Sequence, residues 1–480
     1  MQTPRMVFNS ANAHVVRFGD RAMLLHVPTT ALFELDELGQ TVISRAAAEP
    51  EFDAEYLHAG AAARFAREDV SDFVSQLTDL EVLQVRGRER PINPSRVQVE
   101  SYPLSTLVLN VNTGCNLSCT YCYKEDLETP ARGQRMDFSV ASRSVELLLE
   151  QGKARDTVSI VFFGGEPLTN VPLIRQVVEY AERRAEETGK QVEFSLTTNA
   201  TLLTPELIDF FAAHRFGISI SMDGPKLIHD RNRRSVGGKG TYDVVVKKAR
   251  LLLERYRAKP IGARVTLTAG TTEVEAIHAH LRGELGFHEV GYAPVTSSSN
   301  AAYALSEHEL GEVHAGFERL GKQYLDYAVR GENNGFSNLH QLMTDLHEGR
   351  RKSLPCGAGV GLLAVDREGG LNLCHRFTGS ALPVFGTVEN GIDSERLSEF
   401  LGRAADRTGT HCASCRIRNL CAGGCYHEAY ARFGDPLHRT YHYCDLLRRW
   451  VDFGIGIYAE IIARNPSFFP RHIETRRAHA

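Results

Sequence analysis

The chain lacks the sequence features of membrane proteins and of nucleic-acid-binding proteins. No apolar run is long enough to span a bilayer, and the first residues, MQTPRMVFNSANAHVVRFGD, lack the apolar core of a signal peptide. The formal net charge is -4, so no excess of positive charge attracts nucleic acid or an anionic membrane. Repeats of solenoid length and low-complexity tracts are also missing. We therefore expect a globular protein of the cytoplasm, with no nucleic acid and no membrane among its partners.

Cysteine is missing from the long stretch between Cys122 and Cys356. The 10 cysteines fall on either side of this gap: Cys115, Cys119 and Cys122 before it, and Cys356, Cys374, Cys412, Cys415, Cys421, Cys425 and Cys444 after it. In a reducing compartment, clustered cysteines are more often metal ligands than disulfides. This distribution predicts two metal-bearing regions separated by a metal-free scaffold.

Strand and helix signals alternate between about Leu107 and Ser297. Six such units predict a parallel sheet with right-handed crossovers. Because a closed barrel needs eight, they favour a partial (β/α)6 barrel whose active face lies at the C-terminal ends of its strands. We predict four regions: an N-terminal module (1–95), the partial barrel (96–300), a helical connector (301–355) and a cysteine-rich domain (356–480).

The N-terminal module shows α+β patterning. The stretch AHVVRFGDRAMLLHV predicts two strands around the turn at Gly19 and Asp20. The next stretch, TTALFELDELGQTVISRAA, predicts a helix, and REDVSDFVSQLTDLEVLQV predicts a helix that runs into a strand. A polar, proline-containing stretch, RGRERPINPSRVQVESYP, predicts a linker. At the other end of the chain, DLLRRWVDFGIGIYAEIIARN predicts an amphipathic helix.

The first cysteine group stands in the loop VNTGCNLSCTYCYK, after the first predicted barrel strand. Its spacing, C-x3-C-x2-C, supplies three thiols, whereas a structural zinc ion takes four protein ligands. Three thiols fit a [4Fe-4S] cluster that keeps one iron open for another ligand. A zinc site completed by a distant His or Cys, or three unrelated core cysteines, remain alternatives at this point.

Polar segments follow the next three predicted strands. In FFGGEP, we expect Gly164 and Gly165 to expose backbone amides and Glu166 to accept a hydrogen bond from an ammonium group. The two later segments contribute Thr198, Asn199, Ser221 and Asp223. Each segment alone is typical of a strand-end turn. Because the ends of parallel strands meet at one edge of a sheet, the segments together indicate a site for a small zwitterionic nucleoside ligand.

The CxxxCxxC loop followed by GGEP resembles the motifs of the radical S-adenosylmethionine (SAM) superfamily. The resemblance implies that SAM chelates the open iron through its amino and carboxylate groups. An electron from the cluster would then cleave SAM to methionine and a 5′-deoxyadenosyl radical, which abstracts a substrate hydrogen. It implies SAM contacts from Gly164, Gly165 and Glu166 at the methionyl end, Tyr121 beside the adenine, and Asn199, Ser221 and Arg264. Arg264 is equally interpreted as a strand residue paired with a surface acid.

The second cysteine group resembles the SPASM extension of radical SAM peptide maturases, which carries two auxiliary Fe-S clusters. Its order is Cys356-x12-Gly369-x4-Cys374, then Cys412-x2-Cys415-x5-Cys421-x3-Cys425, then Cys444. The resemblance implies an outer cluster held by Cys412, Cys415, Cys421 and Cys444, and an inner one held by Cys356, Cys374 and Cys425. The inner set lacks a fourth cysteine, which His375 or Asp366 could replace. A pair of zinc ribbons is the alternative.

Chain length, the N-terminal module and the three-cysteine inner set most resemble the maturases of the quinohemoprotein amine dehydrogenase small subunit. That resemblance implies thioether bonds between Cys sulfur and Asp or Glu methylene carbons of a ribosomally made polypeptide. It also implies a winged-helix-like N-terminal module that binds a leader peptide at a sheet edge, and a flavodoxin- or ferredoxin-type electron donor. Asp223 or Asp230 is the candidate proton acceptor.

Other functions remain open on the sequence alone. Within enzymes, they are sulfatase maturation, in which Ser or Cys becomes formylglycine, and C-C crosslinking of a peptide. A non-catalytic Fe-S electron carrier or a peptide-binding scaffold is the alternative from another class.

The cysteine distribution makes a prediction about metal content. Because the 10 cysteines divide into sets of three, three and four, protein purified without oxygen should be brown and hold three Fe-S clusters. Iron and acid-labile sulfide analysis measures this directly. A content of about two zinc ions per chain with little iron would contradict it.

Overall fold

The computed structural model describes residues 4–88, 104–123, 133–296, 301–439 and 442–473. Most of the predicted linker, at 89–103, lies outside the described residues. The described part of the chain consists of the N-terminal module, a parallel sheet flanked by helices, and a cysteine-rich region closed by a long helix.

The N-terminal module is built from five strands and three helices. In chain order they are β1 (Met6–Phe8), β2 (Ala13–Phe18), β3 (Arg21–His26), β4 (Ala31–Glu34), α1 (Glu37–Ala48), α2 (Ala54–Ala61), α3 (Arg67–Asp79) and β5 (Leu83–Val85). Strands β2, β3 and β4 form an antiparallel sheet in that order, and β1 pairs with β5.

The structure confirms two local predictions in this module and corrects a third. Strands β2 and β3 flank the turn at Gly19, and α3 runs into β5, as expected. The prediction of one helix across TTALFELDELGQTVISRAA is wrong at its start, because Ala31–Glu34 pairs with β3 as strand β4. The helix begins only at Glu37, where the Asp36 side chain caps it by accepting from the Gly39 amide at 2.7 Å.

The centre of the molecule is the predicted partial barrel. Its six parallel strands are β6 (Thr106–Asn110), β7 (Thr157–Phe163), β8 (Gln191–Thr198), β9 (Gly217–Ser221), β10 (Ile261–Leu267) and β11 (Glu289–Pro294), and they pair in chain order. The intervening helices are α4 (Phe138–Gln151), α5 (Val171–Glu187), α6 (Pro205–Ala213), α7 (Lys226–Asn232), α8 (Tyr242–Arg255) and α9 (Val274–His278). Parallel pairing brings the C-terminal ends of all six strands to one edge, which confirms the predicted fold class.

The rest of the chain adds strands to this sheet and helices around it. Its helices are α10 (Glu307–Val329), α11 (Ser337–His347), α12 (Ser394–Ala405), α13 (Arg418–Cys421), α14 (Tyr426–Phe433), α15 (Cys444–Arg464) and α16 (Phe468–His472). Its strands are β12 (Leu362–Val365), β13 (Leu371–Asn372), β14 (Gly386–Thr387) and β15 (Gly391–Ile392). Strand β12, which the sequence analysis did not predict, pairs in parallel with β6 and extends the sheet into the cysteine-rich region. Of the helices in the described ranges, none is long and apolar enough to cross a bilayer.

The N-terminal module is docked on α15 through the second face of its sheet. Successive side chains of a strand point to opposite faces, so Leu24 packs in the module's own core while Met23 and Leu25 join the main core. His14 Nε2 lies 2.8 Å from Asp452 Oδ1 on α15. These contacts connect the N-terminal module to the cysteine-rich domain. The division into four separate domains therefore stays a prediction.

This docking makes a prediction about Gly456, in the middle of α15. A Cβ atom there would lie 2.3 Å from Cδ2 of Phe18 in the module, whereas a Cβ at Gly311, on α10, meets nothing within 4 Å. We expect Gly456→Ala to destabilise the protein by about 1–3 kcal/mol through overpacking. Gly311→Ala should stabilise it by about 0.5–1 kcal/mol, because alanine favours a helix.

The two variants are compared by their unfolding midpoints in guanidinium chloride, measured without oxygen, and by the sensitivity of the module to trypsin. Equal midpoints for Gly456→Ala and the parent protein would show that the module does not pack against α15 as described.

Candidate functional site

The three-cysteine loop lies at the C-terminal end of β6 and is supported from behind by the segment after α7. The Ser118 amide donates to Arg234 O at 2.8 Å, and the Thr120 amide donates to Asn232 O at 3.1 Å. The Thr120 hydroxyl also donates to Asn232 Oδ1 at 2.7 Å. These contacts hold the backbone between the thiols in one conformation.

The paired glycines of GGEP are required by close packing against the chain just before the first cysteine. A Cβ at Gly164 would lie 2.3 Å from Asn112 O, and one at Gly165 would lie 2.1 Å from Gly114 O. The Gly165 amide donates to Asn112 O at 2.8 Å, and the Glu166 amide to Gly114 O at 3.0 Å. The expectation that both glycines expose their amides is therefore wrong for Gly165, whose amide joins the two loops.

Glu166 is a buried carboxylate in a network of donors. Its Oε1 accepts from Thr198 Oγ1 at 2.6 Å and from the Leu168 amide at 3.1 Å, and its Oε2 accepts from the Asn199 amide at 2.8 Å. Burial raises the pKa of Glu166 to about 7, against the opposing effect of these hydrogen bonds. A ligand ammonium group in the adjacent cavity would favour the ionised form of Glu166, which burial disfavours.

Asn199 connects the third strand end to the cysteine loop. Its Nδ2 donates to Asn116 Oδ1 at 3.0 Å and lies 3.8 Å from the Cys115 sulfur. The Asn116 side chain in turn donates to Thr201 Oγ1 at 2.7 Å. Asn199 therefore positions the loop, and its predicted contact with SAM stays a prediction.

A buried ion pair lies beneath the loop. Arg233 Nε is 2.9 Å from Asp223 Oδ2, and the Tyr121 hydroxyl donates to the same oxygen at 2.6 Å. The Thr266 amide donates to Asp223 Oδ1 at 3.0 Å. Burial disfavours the charged form of Arg233, but the Asp223 carboxylate outweighs this and raises the arginine's pKa. The sequence analysis missed Arg233, since nothing in the run DRNRRS distinguishes it from its neighbours.

Both candidate proton acceptors make structural contacts. Asp223 is fully engaged by Arg233, Tyr121 and a backbone amide, as just described. Asp230 Oδ1 accepts from the Tyr242 amide at 2.8 Å, at the start of α8. The cavity described next is not lined by either carboxylate. The general-base role of these residues stays a prediction.

A cavity of about 240 Å3 lies at the strand ends, and the predicted SAM contacts line it together with the first thiols. These residues are Cys115, Cys119, Cys122, Tyr121, Gly164, Gly165, Glu166, Asn199, Ser221 and Arg264. Arg264 Nη2 also lies 3.3 Å from Glu289 Oε1, and half of its side chain is exposed, so its pairing with a surface acid is confirmed and its contact with SAM stays a prediction. His375 and Arg376, from the cysteine-rich region, line the cavity too.

The thiols of this loop suit a bound cation. Burial raises the pKa of Cys115 to about 12 and that of Cys119 to about 11, so these thiols stay protonated at neutral pH in the protein alone. Metal coordination deprotonates a thiol outright. The donor set therefore fits a cluster that contributes positive charge and leaves room in the cavity for a ligand.

The predicted outer thiols, Cys412, Cys415, Cys421 and Cys444, line one cavity of about 530 Å3. A cavity of this size has room for a polynuclear group. Within the described ranges, no three His, Cys, Asp or Glu side chains converge on a single-ion site.

The inner thiols also come together. Burial first, and then the neighbouring Cys425 and Cys356, raise the pKa of Cys374 to about 11. Of the two alternative ligands, Asp366 is engaged elsewhere: it accepts from the Gly370 amide at 2.8 Å and from Asn372 Nδ2 at 2.9 Å, in the turn between β12 and β13. The His375 ring lies 4.3 Å from that of Phe163. The ligand sets themselves stay predictions.

Comparison with known proteins agrees with these motifs. The profile of the Radical SAM superfamily matches residues 109–279. A cysteine-type anaerobic sulfatase-maturating enzyme of Clostridium perfringens (strain 13 / Type A) is 31% identical over 369 residues, which cover 73% of this chain and 96% of that enzyme. A serine-type anaerobic sulfatase-maturating enzyme of Klebsiella aerogenes is 23% identical over 393 residues, 77% of this chain and 94% of that enzyme.

Solved structures share the fold. Native anSMEcpe with bound AdoMet and Cp18Cys peptide superposes with a TM-score of 0.63 at 21% identity and covers 76% of this chain and 99% of that chain. Streptococcus suis SuiB bound to S-adenosylmethionine superposes with a TM-score of 0.51 at 16% identity and covers 91% of this chain and 99% of that chain. The chain thus belongs to the radical SAM/SPASM family of peptide-modifying maturases that includes the anaerobic sulfatase-maturating enzymes.

Proposed function

We propose that this enzyme forms thioether crosslinks within a ribosomally made polypeptide, joining a Cys sulfur to an Asp or Glu methylene carbon. As a radical SAM enzyme it uses an Fe-S cluster and SAM, and it acts on a peptide. The resemblance to the maturases of the quinohemoprotein amine dehydrogenase small subunit suggests that small subunit as the substrate.

Arg376 is the observation that carries the finer proposal. Three arginines line the cavity, and two of them have carboxylate partners, Arg233 with Asp223 and Arg264 with Glu289. Arg376 instead donates from Nη1 to the Thr296 hydroxyl at 2.6 Å, and its Cζ lies 4.8 Å from the centre of the Tyr123 ring. Glu428 interacts with it electrostatically, without a hydrogen bond between the two among the described residues. A planar, always charged guanidinium at the wall of a substrate cavity is suited to bind a carboxylate in two-point fashion.

A substrate Asp or Glu held by Arg376 would present its methylene to the cavity that the first thiols line. A methylene C-H resists acid-base chemistry, and SAM with its cluster supplies a carbon radical there when bound. Forming the C-S bond removes one hydrogen atom from the methylene and one proton from the thiol, which leaves one electron. The inner thiols lie close by, since Cys374 is two residues from Arg376, and a cluster held there is placed to accept that electron.

The N-terminal module supports a polypeptide substrate. Relatives that mature sulfatases match about three quarters of this chain, whereas SuiB, which has been solved with the precursor peptide SuiA, spans 92% of it. In the module's sheet, β4 is an edge strand, and its residues Phe33 and Glu34 are exposed. An extended leader peptide could pair with this edge by strand addition.

Cysteine-type sulfatase maturation is the second candidate, because an enzyme with that name matches this chain over 96% of its own length. Its peptide substrate carries a Cys whose side chain is oxidised to an aldehyde, and it needs no neighbouring carboxylate. A flavodoxin- or ferredoxin-type donor remains the proposed source of electrons for either reaction.

Product analysis separates the two functions. Anaerobic enzyme, SAM and a reductant are incubated with a peptide that contains both Cys and Asp, and with a sulfatase-type Cys peptide. Thioether formation removes two hydrogen atoms and the free thiol from the first peptide, whereas sulfatase maturation converts the second to an aldehyde. Mass spectrometry with thiol and aldehyde labelling reads both. Aldehyde as the sole product would refute the thioether proposal, and Cys115→Ala should form neither product.

Arg376 makes a separate prediction. Arg376→Gln should raise the KM for the Asp-containing peptide about 10- to 100-fold, because a hydrogen bond to a charged group contributes about 1.5–3 kcal/mol. It should leave peptide-independent release of 5′-deoxyadenosine unchanged, since the first thiols and Glu166 are intact.

The matched control is Arg396→Gln, a partly exposed arginine beside Asp393 in the same region. If Arg376→Gln and Arg396→Gln have the same KM for the Asp peptide, Arg376 does not bind the substrate carboxylate. The proposed function is tested separately, because the labelling experiment identifies the product whatever the role of Arg376.

A further inference from the structure

The outer thiol cavity is surrounded by arginines. Arg416, Arg418, Arg439 and Arg448 line it, and Arg407 acts electrostatically on three of its thiols. Two of these arginines have a carboxylate partner: Arg416 Nη2 lies 2.9 Å from Asp452, and Arg448 pairs with the largely exposed Asp445. The other three are bound differently.

Neutral carbonyl oxygens hold Arg407, Arg418 and Arg439. Arg407 donates to the carbonyls of Lys352 and Ser353 at 3.0 and 2.9 Å. Arg418 donates to Ala11 O at 2.6 Å, and Arg439 donates to Arg403 O at 2.6 Å. Burial lowers the pKa of all three guanidinium groups, and a neighbouring arginine lowers that of Arg407 and Arg418 further.

Three buried guanidinium nitrogens around this cavity have no hydrogen-bond acceptor in the described part of the chain. They are Arg407 Nε, Arg416 Nε and Arg439 Nη1. A buried donor of a charged group without an acceptor is costly, typically by more than the 1–3 kcal/mol of a neutral group. Several such donors around one cavity, beside four thiols, indicate that an anionic group with acceptor atoms belongs there.

The other two thiol sets have different surroundings. Near the first loop, Asp223 neutralises Arg233. Near the inner set, Arg376 lies over the Tyr123 ring with the Glu428 carboxylate in electrostatic range, and Arg439 also acts on Tyr426 from the side of the outer set. Positive charge is therefore concentrated at the outer set.

We propose that the arginines around the outer cavity raise the reduction potential of the Fe-S cluster held there above that of the inner cluster. A cluster ligated by four thiolates is an anion, and one-electron reduction adds another negative charge. Guanidinium groups at the cavity wall would stabilise the reduced form of a cluster held there more than the oxidised form, and their unpartnered N-H groups would be available as donors to it.

The proposed effect on the reduction potential of the outer cluster does not depend on which peptide the enzyme modifies. The alternative is a purely structural role, because Arg407, Arg418 and Arg439 connect backbone segments through their hydrogen bonds to carbonyl oxygens. A purely structural arginine changes stability when it is replaced and leaves the potential of the cluster unchanged.

The test is an EPR-monitored redox titration of the full chain with its clusters loaded. The Cys115→Ala, Cys119→Ala and Cys122→Ala substitutions in one background remove the signal of the first cluster. In that background, Arg439→Gln and Arg448→Gln should each lower the equilibrium constant for reduction of one cluster about tenfold. That corresponds to about 59 mV more negative for a one-electron couple. The reduction potential of the other cluster should stay unchanged within experimental error, and Arg396→Gln should change neither potential.

Each outcome of the titration decides the proposal. Unchanged potentials in both Gln variants, at full iron content, would overturn it. Loss of outer iron in Arg439→Gln, with retention of iron and of the parent potential in Arg439→Lys, would support it, because Lys keeps the positive charge that Gln removes. If both Arg439 variants lose the cluster, the reduction potential of Arg448→Gln decides the proposal. The partly exposed Arg448 side chain pairs with Asp445 and does not connect backbone segments.

Discussion

The pairing of β12 with β6 is the interaction on which the composite site depends. Ser105 and Thr106 donate to Gly361 O at 2.9 Å, and Asn110 Nδ2 donates to Val365 O at 3.3 Å, so the two strands are joined along their length. This pairing makes the cysteine-rich region a continuation of the barrel sheet. His375 and Arg376, which follow β13 in this region, are part of the cavity wall.

Inside the barrel, the close approach of two backbone segments positions the site. The cysteine loop and the GGEP turn are packed so tightly that only glycine fits at positions 164 and 165. The same contact brings Glu166 under the loop, where burial raises its pKa. The loops at the ends of β6, β7 and β8 thus form one rigid unit, as preorganised binding of a small ligand requires.

The three thiol sets differ mainly in the charge around them. A neutralised ion pair lies at the first set, one guanidinium and aromatic rings lie at the inner set, and five arginines surround the outer set. Two of those arginines also connect the N-terminal module: Arg418 donates to Ala11 O, and Arg416 shares Asp452 with His14. The module that we propose to bind a leader peptide is therefore connected to two arginines around the outer set.

The sequence alone was sufficient for the features that depend on local chemistry and short-range periodicity. The cysteine spacings, the GGEP turn and six alternating strand-helix units predicted the superfamily, the partial barrel and the residues that line its cavity. Tertiary structure alone decided the contacts between distant segments. Strand β4 exists because β3 pairs with it, and Arg233 and Arg376 lie over the rings of Tyr121 and Tyr123, which are more than a hundred residues away in sequence. Local patterns do not encode such partners, because a single arginine in a polar run looks the same whether it meets water, a carboxylate or a cavity.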